Sequence, residues 1–129
     1  AYLAAHGVPH HPQDLAGHTL LGTGLPHAPQ AWRFGKGAAA QVLPVRPRLL
    51  ASTNDTLIVA ALGGLGIARV VSYQAAAGLR SGELLPVLEG FEPPPVPVSV
   101  VRTPGSRPPP KVRAFVDLAV ARLRAQLAP

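Results

Sequence analysis

The sequence predicts an α/β fold, and three stretches carry the prediction. Residues 54–73, "NDTLIVAALGGLGIARVVSY", read as a helix, a glycine turn and a β-branched strand. Residues 96–101, "VPVSVV", are rich in β-branched side chains. Residues 110–126 repeat apolar side chains at helical spacing. Strands and helices thus alternate through the second half. The 129 residues make one domain or less. With 47% hydrophobic and 14% charged residues the chain can bury a core, and at 5% aromatic that core is built mainly from Leu, Val, Ile and Ala.

The elements follow in order. Tyr2 to His6 is a helical turn ended by Gly7 and Pro9. Pro12 to Gly17 is a second single turn, with Pro near its start and Gly at its end. Thr19 to Leu21 is a short strand before the turn residues Gly22, Gly24 and Pro26. Ala31 to Phe34 alternates and Gln41 to Leu43 returns, so the pair reads as a hairpin closed at Gly35-Lys36-Gly37. Val45 to Ala51 reads as a further strand, which Pro47 demotes to an edge or a bulge.

Asn54 is the expected N-cap of the next helix, with Asp55 in its first turn where the helix dipole favours an acid. Leu57, Ile58, Ala61 and Leu62 fall on one face, Gly63 and Gly64 end the helix, and Ile67 to Tyr73 is a strand. Gln74 to Arg80 is a weak helix closed near Ser81-Gly82. Glu83 to Leu88 is strand-like, and Phe91 to Pro95 is a stiff linker. Val96 to Val101 is a strand and Thr103 to Pro109 a loop. Pro110 opens the last helix, whose apolar face is Val112, Phe115, Val116, Ala119, Leu123 and Leu127. No internal repeat is present.

Several functions are excluded or weakened by the same residues. The glycines of "GGLGIAR" follow a helix and precede a strand, whereas a dinucleotide-binding loop follows a strand and opens a helix, and its third glycine position is occupied here by Arg69. They read as a helix C-cap and a tight turn. The five histidines, His6, His10, His11, His18 and His27, match no compact zinc spacing and read as loop residues without a ligand role. Six carboxylates without a visible pair, and serines without a G-x-S-x-G elbow, give catalysis no support. Without cysteine there is no disulfide or thiolate site, which is compatible with a reducing compartment. The run Leu57 to Ala68 is too short to span a bilayer. The net charge of +6 makes nucleic acid a conceivable partner, but the basic residues are scattered rather than set in a stripe with aromatics. Pro93-Pro94-Pro95 and Pro108-Pro109-Pro110 read as connectors bracketing one strand rather than as polyproline ligands.

One stretch is site-like. Ser52-Thr53-Asn54-Asp55-Thr56 gathers three hydroxyls and an amide at a helix start that follows a strand. Free N–H groups there suit an anionic group. An ordinary N-cap explains the same residues, and Asp55 weighs against a simple anion site.

The motifs, taken in order, resemble the effector-binding domain of LysR-type transcriptional regulators. "AYLAAHGVPHHPQDLAGHTLL" is similar to that family's "SPAYL-x-x-HG-x-P-x-x-P-x-DL-x-x-H" stretch. "VRPRLLASTNDTLIVAALGGLGIARVVSYQAAAGLRSGELLPVL" is similar to its strand, Asn-Asp helix start, "GLGIA" turn and "L-x-x-G-x-L-x-x-VL" segment. "PVPVSVVRTPGSRPPPKVRAFVDLAVARL" is similar to its closing strand and "PKVRAFVDFL" helix. Departures are Val71, where the family often has Pro, and the Pro- and His-rich loop from Gly24 to Pro29.

The resemblance implies two α/β lobes like a type 2 periplasmic binding protein, with a small molecule bound between them. Residues 1–96 would be the second lobe, and 97–129 the returning crossover strand and C-terminal helix of the first. The winged helix-turn-helix and most of the first lobe would lie outside this chain, and its abrupt start at Ala1-Tyr2-Leu3 is that expected of a piece of a longer protein. The final helix would lack its natural partner, and is expected to borrow another surface or to fray. The implied function is effector sensing by a cytoplasmic, non-enzymatic regulator that needs no cofactor and no membrane. Implied partners are a small-molecule effector (an organic anion fits the helix start), operator DNA through the missing domain, and further copies of the parent. Candidate effector-binding residues are Thr53, Asn54 and Asp55, with Gly66 and Ile67 at the turn; no catalytic or metal-binding residue is expected. Two other readings use the same residues: a lobe of an extracytoplasmic solute-binding protein of this fold, and a Pro-rich interaction module around a small α/β core.

Overall fold

The computed structural model describes residues 1–25, 28–101 and 109–127. The chain divides into two units, Ala1–Pro94 and Pro95–Pro129.

In the first unit, helix α1 (Tyr2–His6) and a 3-10 turn (Pro12–Gly17) lead into strand β1 (Leu20–Thr23). Strands β2 (Gln30–Phe34) and β3 (Gln41–Val45) form an antiparallel hairpin, with Trp32 opposite Leu43. Strand β4 (Leu49–Ala51), helix α2 (Asn54–Leu62), strand β5 (Ile67–Ala68) and helix α3 (Ser72–Ser81) follow. Three strands make a parallel sheet in the order β4-β1-β5, with Leu21 opposite Leu49 on one side and Ala68 on the other.

β1 lies at the centre of this unit because its side chains are apolar on both faces. Successive strand residues point to opposite faces. Leu20 joins a cluster with Tyr2, Leu15, Trp32, Phe34, Val45 and Ile67. Leu21, on the other face, is fully buried, as is Leu57 of α2, the helix that packs on all three strands.

Several boundaries differ from the sequence expectation. β1 runs on through Gly22 and Thr23 instead of turning, because Gly22 is a packing glycine: a Cβ there would stand 2.8 Å from Pro47 Cγ. The expected strand Val45 to Ala51 is two strands. Val45 pairs with Gln30 in the hairpin, Pro47 supplies no N–H, and Leu49 to Ala51 pair with β1 in the other sheet. The N-cap of α2 is Thr53 rather than Asn54: Thr53 has extended backbone and accepts from Thr56 N at 3.5 Å. On α2, Leu57 is buried and Ile58 and Ala61 half-buried, but Leu62 is 43% exposed.

The strand expected over Ile67 to Tyr73 stops at Ala68. The alanine-rich helix α3 reaches back to Ser72, and Gln74 N already donates to Val71 O at 3.1 Å. Glu83 to Leu88 is not a strand either. It serves as the return after α3, with Gly82 left-handed, Leu84 N bonded to Gly78 O at 2.9 Å and Leu88 at φ 60°.

In the second unit, residues 95–101 form no strand, and helix α4 (Pro110–Leu127) is the only regular element among the described residues. The expected strand Val96 to Val101 is irregular chain without a ladder partner, and Val96 and Val101 are 83% and 88% exposed. On α4, Val112, Val116, Ala119 and Leu123 are half-buried, but Phe115 is 68% exposed. The expected loop over Thr103 to Pro109 lies outside the described residues except for Pro109.

Candidate functional site

Parallel strands end together, and the helices that follow them begin at that edge. β1 ends at Thr23, β4 at Ala51 and β5 at Ala68, so α2 and α3 both start at the carboxyl edge of the sheet. Ligands of open parallel α/β sheets enter at such an edge, where loops diverge and helix N-termini present free N–H groups. A bond from Gly24 N to Ala51 O at 3.3 Å ties the ends of β1 and β4 together.

Thr53, Asn54 and Asp55 stand at this edge. Thr53 and Asp55 are exposed and Asn54 is half-buried. Thr53 Oγ1 lies 3.1 Å from Thr56 Oγ1 and caps the Thr56 N–H, so the hydroxyl pair closes the first turn of α2. Asn54 is one residue inside the helix and turns its amide sideways: Nδ2 donates to Gln74 Oε1 of α3 at 2.8 Å.

Gly66 and Ile67 are not brought to that edge. They open β5 at its amino end, where Ile67 N donates to Thr19 O at 2.9 Å and Ile67 pairs with Leu20. Ile67 belongs to the core cluster, and a Cβ on Gly66 would run into the Thr19 carbonyl. Their roles in this structure are packing and close strand approach.

The edge carries charges of both signs. Asp55 sits in the first turn of α2, and exposed Arg69 immediately follows β5. Away from this edge, the carboxyl of Asp14 is shifted. The backbone N–H groups of His11 and His10 both donate to its Oδ2 at 2.9 Å and hold it below the ordinary carboxylate range.

The described histidines do not converge. His6 stacks on the Tyr2 ring with centroids 4.2 Å apart, and the Tyr2 hydroxyl lies 3.3 Å from His18 Nδ1 while accepting from Thr19 N at 2.7 Å. His11 lies against Phe91, and His27 is outside the described residues. Among the described residues no group of three His, Cys, Asp or Glu side chains could hold a metal ion. An open cleft of about 500 Å³ lies by the hairpin turn, lined by Lys36, Gln41, Glu89, Phe91 and Glu92 among others, and none of the five candidate residues reaches it. No helix among the described residues is long and apolar enough to cross a membrane.

Gln74 is the edge residue that the sequence alone did not single out. Its partner is 20 residues away, and the pairing becomes visible only when both helix starts are placed.

The chain is similar to known proteins in sequence and in fold. The profile of the LysR substrate binding domain family matches residues 1–124. An HTH-type transcriptional regulator of Xanthomonas campestris is 32% identical over 127 residues, covering 95% of this chain and 37% of the relative. The HTH-type transcriptional regulator CrgA of Neisseria meningitidis is 32% identical over 87 residues, 67% of this chain and 29% of its own length. This chain spans about a third of the length of the curated relatives it matches. Among solved structures, CrgA superposes with a TM-score of 0.62 at 30% identity, over 70% of this chain and 31% of that one. The regulatory domain of AphB from Vibrio vulnificus gives 0.68 over 94% of this chain and 60% of that one; at 23% identity it speaks for the fold alone, that of a periplasmic-binding-protein-like regulatory domain. With nearly its whole length matched, the chain belongs to the LysR substrate-binding domain family.

Proposed function

We propose that this chain is the effector-sensing part of a cytoplasmic transcription factor. In this reading residues 1–96 are the second lobe of the effector domain. Residues 97–129 supply the returning crossover strand and C-terminal helix of the first lobe. A small organic anion binds between the lobes, at the carboxyl edge where Thr53, Asn54 and Asp55 stand. Binding favours one relation of the lobes over another, and the shift is passed to paired DNA-binding domains outside this chain. The parent protein acts as a homo-oligomer on operator DNA, without catalysis.

The observation that carries the reading is the family match over residues 1–124 together with the start of two helices at one sheet edge. The α2 N-terminus offers N–H groups and Arg69 a positive charge, while Asp55 disfavours a highly charged anion. The test is made on the full reading frame. Small organic acids are screened by thermal shift, and a hit is then examined in Thr53→Ala and Asn54→Ala. Both variants are expected to lose the shift while keeping operator binding. If both respond as the parent does, the site lies elsewhere. A reading frame upstream of Ala1 without a helix-turn-helix would overturn the regulator assignment.

A further inference from the structure

We infer that Gln74 is a positioning residue, which holds the Asn54 amide at the carboxyl edge of the sheet. The inference rests on the reading of that edge as effector-facing. α2 and α3 reach the edge from β4 and β5, which are not neighbours, because β1 lies between them. The bond from Asn54 Nδ2 to Gln74 Oε1, 2.8 Å long and half-buried at both ends, joins the two helix starts across this interval. Each helix is anchored close by, α2 through fully buried Leu57 and α3 through buried Ala75. The clasp therefore links two fixed bodies rather than two loose ones.

Its chemical effect is on Asn54. An Asn in the first turn of a helix has competing local backbone partners. With one Nδ2 hydrogen committed to Gln74, the side chain keeps a single orientation and presents its Oδ1 and second N–H in a fixed order. Gln74 thus sets what Asn54 can offer to a ligand, and no contact between Gln74 and the ligand is required.

The test uses the full-length protein without any added ligand, followed by hydrogen exchange over residues 52–60 and 70–78. Gln74→Met keeps length and removes the acceptor. It is expected to speed exchange in the first turns of both α2 and α3 by about fivefold, the effect of one net hydrogen bond. Gln74→Glu retains an acceptor and is expected to stay within about twofold of the parent. Asn54→Leu should match Gln74→Met, and the double variant should add nothing to either alone. The inference is overturned if Gln74→Met exchanges like the parent, if Gln74→Glu is as fast as Gln74→Met, or if the acceleration spreads evenly into β1. The effector response of Asn54→Ala decides the reading of the edge separately, so either idea can fail alone.

Discussion

Residues 1–94 and 95–129 are written in the same apolar grammar, and the structure treats them differently. "TLL" at 19–21 and "VPVSVV" at 96–101 both read as strands. The first becomes β1, paired on both sides and buried on both faces. The second forms no strand, has no ladder partner and is exposed. The difference is not propensity but company. A strand needs a ladder partner for its N–H and C=O groups, and an apolar helix stripe needs a surface to cover it. The first unit contains its partners; among the described residues the second has only α4. Charge sharpens the contrast: residues 1–94 hold six basic and five acidic side chains, but 95–129 hold six and one. Like charges oppose collapse of the second segment on itself.

The contrast is broken most directly by core truncation. Leu21→Ala, at a fully buried position of the central strand, is expected to destabilise the chain by about 2–5 kcal/mol, enough to unfold a marginal domain. Leu118→Ala, on the exposed side of α4, should stay within about 0.5 kcal/mol. Urea unfolding of both variants measures the difference. Equal losses would mean that the two segments are equally packed.

Hydrogen exchange sharpens it next. Amides of residues 96–101 are expected to exchange within about tenfold of free-peptide rates in this chain, because no ladder protects them. In the full reading frame the proposed first lobe supplies the missing partner, and the same amides should slow by roughly a hundredfold or more. If they stay fast there, residues 97–101 are not a strand of another lobe.

Gly66 tests the contrast inside the first unit. Gly66→Ala would press a Cβ against the Thr19 carbonyl at the start of β5, and the expected loss is about 1–3 kcal/mol. A thermal melt of the full-length variant would show it. A variant that melts like the parent but loses effector response would instead return Gly66 to the binding site.

What the sequence made legible follows the same logic of partners. Local signals read well: Gly7 and Gly64 at helix ends, Pro12 at the head of its turn, and the alternation of Ala31 to Phe34 all sit where they were expected. The family resemblance read well because its motifs are runs of such local signals in a set order. Decisions that depend on a distant partner did not. Gly22 looked like a turn because its neighbour Pro47 is 25 residues away. Val45 and Leu49 looked like one strand because nothing nearby shows that they belong to different sheets. Of the candidate site, the α2 start was legible from its hydroxyl and amide residues. The separation of Gly66 and Ile67 from it was not, since it depends on which end of β5 the turn meets. Gln74 carries no local mark of its pairing at all.

The smallest expected effect concerns a contact that both sequence and structure treat as local. Asp14 accepts from His10 N and His11 N, and both bonds favour its charged form. Its folded pKa is lowered, so the unfolded chain takes up the proton first as pH falls. The stabilisation is therefore present above the ordinary Asp range, around pH 4, and is lost as pH falls through the lower folded value. Because the carboxylate is open to water the loss is small, and Asp14→Asn should lower stability slightly at pH 7 and less near pH 2. Urea midpoints for parent and variant at the two pH values would check it. The same offset at both would place the role of Asp14 in turn geometry rather than in its charge.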